Sequence, residues 1–224
     1  GQYAIQRNAG ITTTGLSSKD FQYYTLDVVE PDSIVLAISQ SGETIETLEA
    51  ARAAKARGFY IIALTNGETS SLAELSDFLV LMVAGSEQGP GTKTVTGQCM
   101  AVYQLSLYLG EIYPDRAGVD IREQAAQLDT APAVLDTILK NKGAIDTLAQ
   151  QLYTETQIYM TGAGPFFVLG LQAANVIREM AKIHIFTFET TEFRHGPLEV
   201  IQAKTKIFVF SNGLCRGREQ VERA

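Results

Sequence analysis

Short apolar runs alternate with amphipathic stretches along this chain, the pattern of a parallel α/β sheet assembled from strand–helix–strand units. Ser33-Ile34-Val35-Leu36-Ala37-Ile38-Ser39 is apolar without alternation and predicts a buried strand. Thr44 to about Arg57 predicts a helix, with Leu48, Ala51 and Lys55 marking its turns and Gly58 closing it. Residues 59–64 predict the next strand, Thr65-Asn66-Gly67 a turn, residues 70–75 a short helix and residues 77–82 a third strand. A long apolar helix is expected from Lys93 to Leu109, and Tyr113-Pro114-Asp115 breaks it.

The order then starts again. Gly118 to Ala133 reads as a connector and Ala133 to Leu152 as one helix. Residues 157–161 predict a strand, Gly162-Ala163-Gly164-Pro165 a tight turn, residues 166–180 a helix, and residues 183–188 and 206–210 further strands. Two βαβ sets in series predict a duplicated α/β architecture: a first module over 1–112, a connector over 113–132 and a second module over 133–224. Each is expected as a parallel sheet flanked by helices, a three-layer α/β/α, flavodoxin-like arrangement. Identity between the halves is too low to define a sequence repeat.

Composition narrows the function. Of 224 residues, 46% are hydrophobic and 19% charged, ordinary for a folded soluble protein. A net charge of -7 argues against nucleic acid as a partner, which needs clustered Lys and Arg. It leaves room for one phosphate, which a few N–H groups and hydroxyls can hold. Cys99 and Cys215 form no disulfide framework and no zinc spacing, and no metal or other cofactor is expected. No apolar run approaches the roughly 20 residues of a membrane helix, so a cytoplasmic protein without a membrane partner is expected. The chain opens at Gly1-Gln2-Tyr3 and stops at residues 218–224 in helix-like sequence, as a fragment of a longer protein would.

Ser39-Gln40-Ser41-Gly42-Glu43-Thr44 lies between a predicted strand and a predicted helix, beyond the carboxyl end of the strand, where open α/β sheets bind ligands. Gly42 permits a tight turn. The helix's first N–H groups and its dipole favour an anion, and Ser39, Ser41 and Thr44 supply hydroxyls. The loop carries no lysine, so it is not a Walker P-loop. The same residues also fit an ordinary helix cap, with Ser41 or Thr44 capping and Glu43 or Glu46 in the first turn. A second cluster follows the strand at 183–188: Thr191-Glu192-Phe193-Arg194-His195-Gly196-Pro197, with Glu179 at the end of the preceding helix. A carboxylate and an imidazole near one sugar can divide proton transfers between them. Glu192 also reads as a first-turn acid and His184 as a packed strand residue. Gly162-Ala163-Gly164 lacks the third glycine of a dinucleotide fingerprint.

The segment from Ala37 to Leu48 resembles the phosphate-binding segment of SIS (sugar isomerase) domains, in particular the isomerase half of glucosamine-6-phosphate synthase, which has a near-identical Ser-Gln-Ser-Gly-Glu-Thr. The resemblance implies two SIS modules, with Ser39, Gln40, Ser41 and Thr44 on the sugar phosphate. Glu192-Phe193-Arg194-His195-Gly196-Pro197 resembles that family's Glu-Leu-Lys-His-Gly-Pro motif. It implies Glu179 as the base shuttling a proton between C1 and C2, and His195 as the ring opener, serving the partner subunit's site in a homodimer. The two stand sixteen positions apart, the family interval. Ser86-Glu87-Gln88-Gly89-Pro90-Gly91-Thr92-Lys93 resembles the family's loop over the sugar and implies Thr92 as a further contact. It is one residue shorter and lacks the family's serine. Gln172 and Val176 stand where the synthase has an acid and a lysine. The family's first strand would precede Gly1 and its Schiff-base lysine would follow Ala224, so no residue here takes that lysine's role. The glutaminase domain is also absent from this sequence.

The expectation is therefore an enzyme of amino-sugar metabolism acting on a hexose 6-phosphate or amino-sugar 6-phosphate. Its chemistry would be ketose–aldose isomerisation coupled to amino transfer or deamination. The alternatives are a fructosamine-phosphate deglycase or a phosphosugar sensor without catalysis.

Overall fold

The computed structural model describes residues 1–211; Cys215 and the helix-like end at 218–224 lie outside the described residues. Two compact units divide the chain, Gly1–Asp129 and Thr130–Ala224.

The first unit opens with α1 (Gln2–Ala9) and a short α2 (Ser18–Asp20), which runs into a π turn at Phe21–Thr25. β1 (Ile34–Ile38), α3 (Ile45–Ala56), β2 (Tyr60–Thr65), α4 (Ser71–Leu75), β3 (Phe78–Leu81) and α5 (Lys93–Ile112) then alternate, as the apolar runs predict. The sheet is parallel in the order β1-β2-β3, with Ala37 opposite Ala63 and Thr65 opposite Leu81. β2 is central, and its inward side chains explain its unbroken apolar run. Ile61 and Ala63 pack on one face with Leu48, Ala51 and Ala54 of α3 and Leu72 of α4. Leu64 packs on the other with Ile5 of α1 and Ala101 and Val102 of α5. Each fully buried Ile or Leu contributes about 2 kcal/mol of transfer free energy. β1 is less buried than its composition predicts: Ile34 and Ile38 are exposed, because β1 is an edge of the described sheet.

Past a 3-10 turn at Pro114–Arg116, the stretch read as a connector folds into α6 (Ile121–Asp129). The single helix expected over 133–152 is two, α7 (Ala131–Lys140) and α8 (Lys142–Leu152), separated at Asn141, whose ψ of 49° leaves the helical region. β4 (Gln157–Gly162), α9 (Pro165–Ala181), β5 (His184–Glu189), the one-turn α10 (Thr190–Phe193), a 3-10 turn at Pro197–Val200 and β6 (Ile207–Phe210) complete the second unit. Its sheet is parallel in the order β5-β4-β6. Ile158, Met160, Ala174 and Ile185 form its core, and Tyr159 stacks on Phe186 at 5.2 Å. His184, expected to pack within the strand, is exposed at the first position of an edge strand. The three-layer parallel α/β reading holds for these sheets. Among the described residues no helix is long and apolar enough to cross a membrane.

Candidate functional site

The β1–α3 junction combines a tight turn with an open helix start. Gly42 adopts φ +71°, and a Cβ there would lie 2.1 Å from Ser70 Oγ, so the turn packs directly on the start of α4. Ser39 Oγ accepts the Gly42 N–H at 3.1 Å, and Ser41 Oγ accepts the Glu43 N–H at 3.1 Å. Ser39 and Thr44 hydroxyls lie 2.8 Å apart, so one proton is spent between them. Two of the three hydroxyl protons therefore remain for an outside acceptor. Thr44 is the N-cap of α3, yet its side chain makes no capping bond. The start of this twelve-residue helix is thus left without a side-chain cap from Thr44, an arrangement that suits an anion. The loop's hydroxyls shape its turn rather than close the helix.

Contacts with the β2–α4 segment hold this turn. The Thr65 hydroxyl donates to Gln40 O at 3.3 Å and accepts the Gly67 N–H at 3.1 Å. The Asn66 N–H also donates to Gln40 O, at 3.0 Å. Glu43 reaches across to accept the Ser71 N–H at 2.7 Å, at the start of α4, and that bond holds its carboxyl below the usual range.

A second helix start faces the same side. Glu87 accepts hydrogen bonds from Thr92 N, Thr92 Oγ1, Lys93 N, Thr94 N and Thr94 Oγ1 at the N-terminus of α5. Donation by the Thr92 and Thr94 hydroxyls, more than the backbone, lowers its pKa to about 2. Upstream, Asn66 Oδ1 accepts the Ala84 N–H at 2.8 Å while its Nδ2 donates to Gly85 O at 2.8 Å. Gln40, Glu87, Thr94 and Gln98 line a cavity of about 180 Å³ between the loop and α5. Thr92, expected as a ligand contact, has its hydroxyl on Glu87 at 2.6 Å. A larger cleft of about 330 Å³ in the second unit lies beside Ile207 and Phe208 at the start of β6. That is the amino end of a strand, the wrong end for a ligand in such a sheet.

In the second unit Glu179 and His195 are not brought together. α9 leaves the carboxyl end of β4 and returns beside the amino end of β5, where Arg178 donates to Ile185 O. Glu179 is exposed in that last turn. His195 follows β5 and α10, past the carboxyl end of that strand, and is exposed as well. Glu189 caps α10, accepting from Thr191 N at 2.7 Å and from Glu192 N at 3.3 Å. Desolvation raises its pKa, but the bonds from Thr191 and its neighbours outweigh that and leave it lowered. Among the described residues no group of three or more His, Cys, Asp or Glu is placed to hold a metal.

The residues alone suggest Glu43 as an acid at the start of α3, whereas it anchors the start of α4, and they give Glu87 and Glu189 no anchoring role. One signal for Glu87 exists: α5 begins with Thr92-Lys93-Thr94 and has no acid in its first turn, so its dipole calls for one from elsewhere.

An α/β fold with an open helix start behind a hydroxyl-rich turn agrees with the family comparison, in which the SIS domain model matches residues 1–108. The match spans one SIS domain within the first unit, and a second SIS module from residue 133 is not shown. The chain is 32% identical over 209 residues to a glutamine–fructose-6-phosphate aminotransferase [isomerizing] of Gloeobacter violaceus, covering 92% of this chain and 34% of that protein. To the same-named protein of Corynebacterium diphtheriae it is 32% identical over 225 residues, covering 98% of this chain and 35% of that protein. It therefore spans about a third of the length of these curated relatives. Among solved structures, the C-terminal domain of glucosamine-fructose-6-phosphate aminotransferase from Francisella tularensis matches with a TM-score of 0.88 at 24% identity, over 99% of this chain and 65% of that one. Glucosamine-6-phosphate deaminase from Thermotoga maritima matches with a TM-score of 0.70 at 19% identity, over 99% of this chain and 66% of that one. At these identities the structural likeness shows a shared fold.

Proposed function

We propose that this chain is the sugar-phosphate-handling part of an amino-sugar enzyme. In this reading the phosphate of a hexose 6-phosphate or amino-sugar 6-phosphate rests on the Ser39–Thr44 turn and the N-terminus of α3. The observation that carries it is the uncapped start of α3 behind a turn that leaves two hydroxyl protons unspent. Ser41 and Thr44 donate to phosphate oxygens, Ser39 fixes Thr44, and Gln40 lies on the cavity wall. The names of the curated relatives support a phosphosugar.

The chemistry proposed is ketose–aldose isomerisation coupled to amino transfer or deamination. The Glu179 carboxylate takes the proton from the carbon beside the carbonyl and returns it to the neighbouring carbon, while His195 transfers the ring-opening proton. Because one chain holds these groups at opposite ends of the second sheet, the reading requires a homodimer in which the partner subunit supplies the histidine. The same separation also favours a second reading, a phosphosugar sensor without turnover.

Calorimetric titration separates the parts. Ser41→Ala with Thr44→Ala should weaken binding of a hexose 6-phosphate by roughly a hundredfold, two charge-assisted hydrogen bonds being lost, while a free hexose is unaffected. Equal affinity of variant and parent for the phosphosugar overturns the binding site. Glu179→Gln should then abolish product formation and leave binding intact in an enzyme, whereas a sensor shows no turnover in the parent either.

A further inference from the structure

The cavity in the first unit is lined by Gln40, in the turn that leads to α3, and by Glu87, which anchors the start of α5, and the two helix starts differ in how their donors are used. α3 has no side-chain capping bond from Thr44, and Glu46 is the acid of its first turn. α5 presents five donors, and Glu87 occupies all of them. A carboxylate offers about four lone-pair sites, so this one is saturated. It is also fixed in place, because Asn66 clamps both Ala84 and Gly85 just upstream, and the turn Gly89-Pro90-Gly91 ties Glu87 to Thr92. The charge at that end of the cavity is therefore negative, permanent and rigid.

We infer that Glu87 is a specificity-determining residue that leaves the cavity one place for an anion instead of two, so that it admits sugars with a single phosphate and rejects those with a second anionic group. The inference rests on the proposed phosphate site at Ser39–Thr44. A sugar held there and running past Gln40 into the cavity would meet its other lining residues, Glu87, Thr94 and Gln98. A hydroxyl or an ammonium group suits that end. A second phosphate or a carboxylate would have to displace Glu87 from five donors or lie against its charge, and either is unfavourable.

Binding of a hexose 6-phosphate and of a hexose 1,6-bisphosphate is measured by calorimetry on the full chain, its Glu87→Gln variant and the Ser41→Ala/Thr44→Ala variant. The parent should prefer the monophosphate. Glu87→Gln, which removes the charge and turns amide hydrogens toward the α5 donors, should reduce that preference by about tenfold. An unchanged preference overturns the inference. Should the variant fail to fold, salt serves on the parent: raising ionic strength from roughly 0.05 to 0.5 M screens the repulsion, so the preference must shrink. A preference that stays constant or grows refutes the role of Glu87. Failure of the parent to bind the monophosphate, or indifference of that binding to the double substitution, removes the underlying site and this inference with it. Normal loop dependence with an unchanged preference removes only the inference.

Discussion

At the carboxyl end of β1 the chain turns into α3 over hydroxyls and a buttressed glycine. At the carboxyl end of β4 it turns into α9 over Gly162-Ala163-Gly164-Pro165. The second turn has no hydroxyl of its own, and a Cβ on Gly162 would lie 2.8–2.9 Å from Phe166 and Phe167 backbone atoms. Its nearest hydroxyls, Thr161 and Thr190, are buried and bonded to each other at 3.2 Å. Topology alone would favour this second place: the order β5-β4-β6 puts neighbours on both sides of β4, a switch point where α/β sheets open a crevice. The hydroxyl protons left unspent are nevertheless in the first unit. Strand order provides a position, and side chains decide whether it does chemistry.

That contrast breaks most readily at Gly42. In Gly42→Ala the methyl would sit 2.1 Å from Ser70 Oγ and 2.4 Å from Ser70 Cβ, on a backbone at φ +71°. Crowding and left-handed strain together should cost about 3 kcal/mol or more and lower the melting temperature by roughly 10 °C. A melt indistinguishable from the parent's would show that the turn is loose, and the binding geometry argued from it would go.

Next in size is the buried hydroxyl pair of the second unit. Thr161→Val leaves Thr190 without its partner and should cost about 1–3 kcal/mol, whereas replacing both threonines by valine should cost less than the single change. Ser41→Ala, at an exposed position, should alter stability by about 0.5 kcal/mol or less. Chemical denaturation of the three variants tests whether hydroxyls serve the fold in one unit and the ligand in the other. Equal losses at Thr161 and Ser41 would erase the distinction.

Much of this arrangement is legible in the residues. The strands and α3, α5 and α9 follow from apolar runs and glycine or proline punctuation, because burial on both faces of a parallel sheet leaves a continuous apolar stretch. The division at Asn141 is not legible: Ile138, Leu139, Ile145 and Leu148 carry the apolar spacing straight through it. The exposure of Ile34, Ile38 and His184 depends on which strands lie at an edge, and neighbour order is a tertiary property. The turn 39–44 could be picked out, but its hydroxyls fit a helix cap equally well on paper. Only the pairing of Ser39 with Thr44 shows that the helix start stays open. Glu87 escapes notice because its partners stand five to seven positions on, across a glycine-proline-glycine turn.

A smaller effect isolates strain from crowding. Gly164 also has positive φ, +55°, but a Cβ there would meet nothing within 4 Å. Gly164→Ala should therefore cost about 1 kcal/mol, the left-handed penalty alone. The excess at Gly42 measures how tightly the phosphate turn is packed on α4. If both glycines cost the same, the packing adds nothing.

The start of α5 stands between the two junctions, since it is an anion site that carries its own anion, and pH tests whether that occupant matters. Glu87 is lowered from the ordinary value of 4.5 to about 2. Folding therefore favours its charged form. Its contribution is fully present above about 4.5 and fades as the pH falls through about 2, because below both values the carboxyl is protonated in either state. The carboxylates of Glu43, Asp77 and Glu189 are also lowered, so the total acid response of the protein cannot be assigned to one of them. The difference between the parent and Glu87→Gln can. The parent should melt higher at pH 5, and the gap should narrow steadily toward pH 2, with a small amplitude because the carboxylate is only half-buried. A gap that holds constant across that window would mean that Glu87 acts through shape and not charge, and the first unit would then have no fixed negative pole opposite the open start of α3.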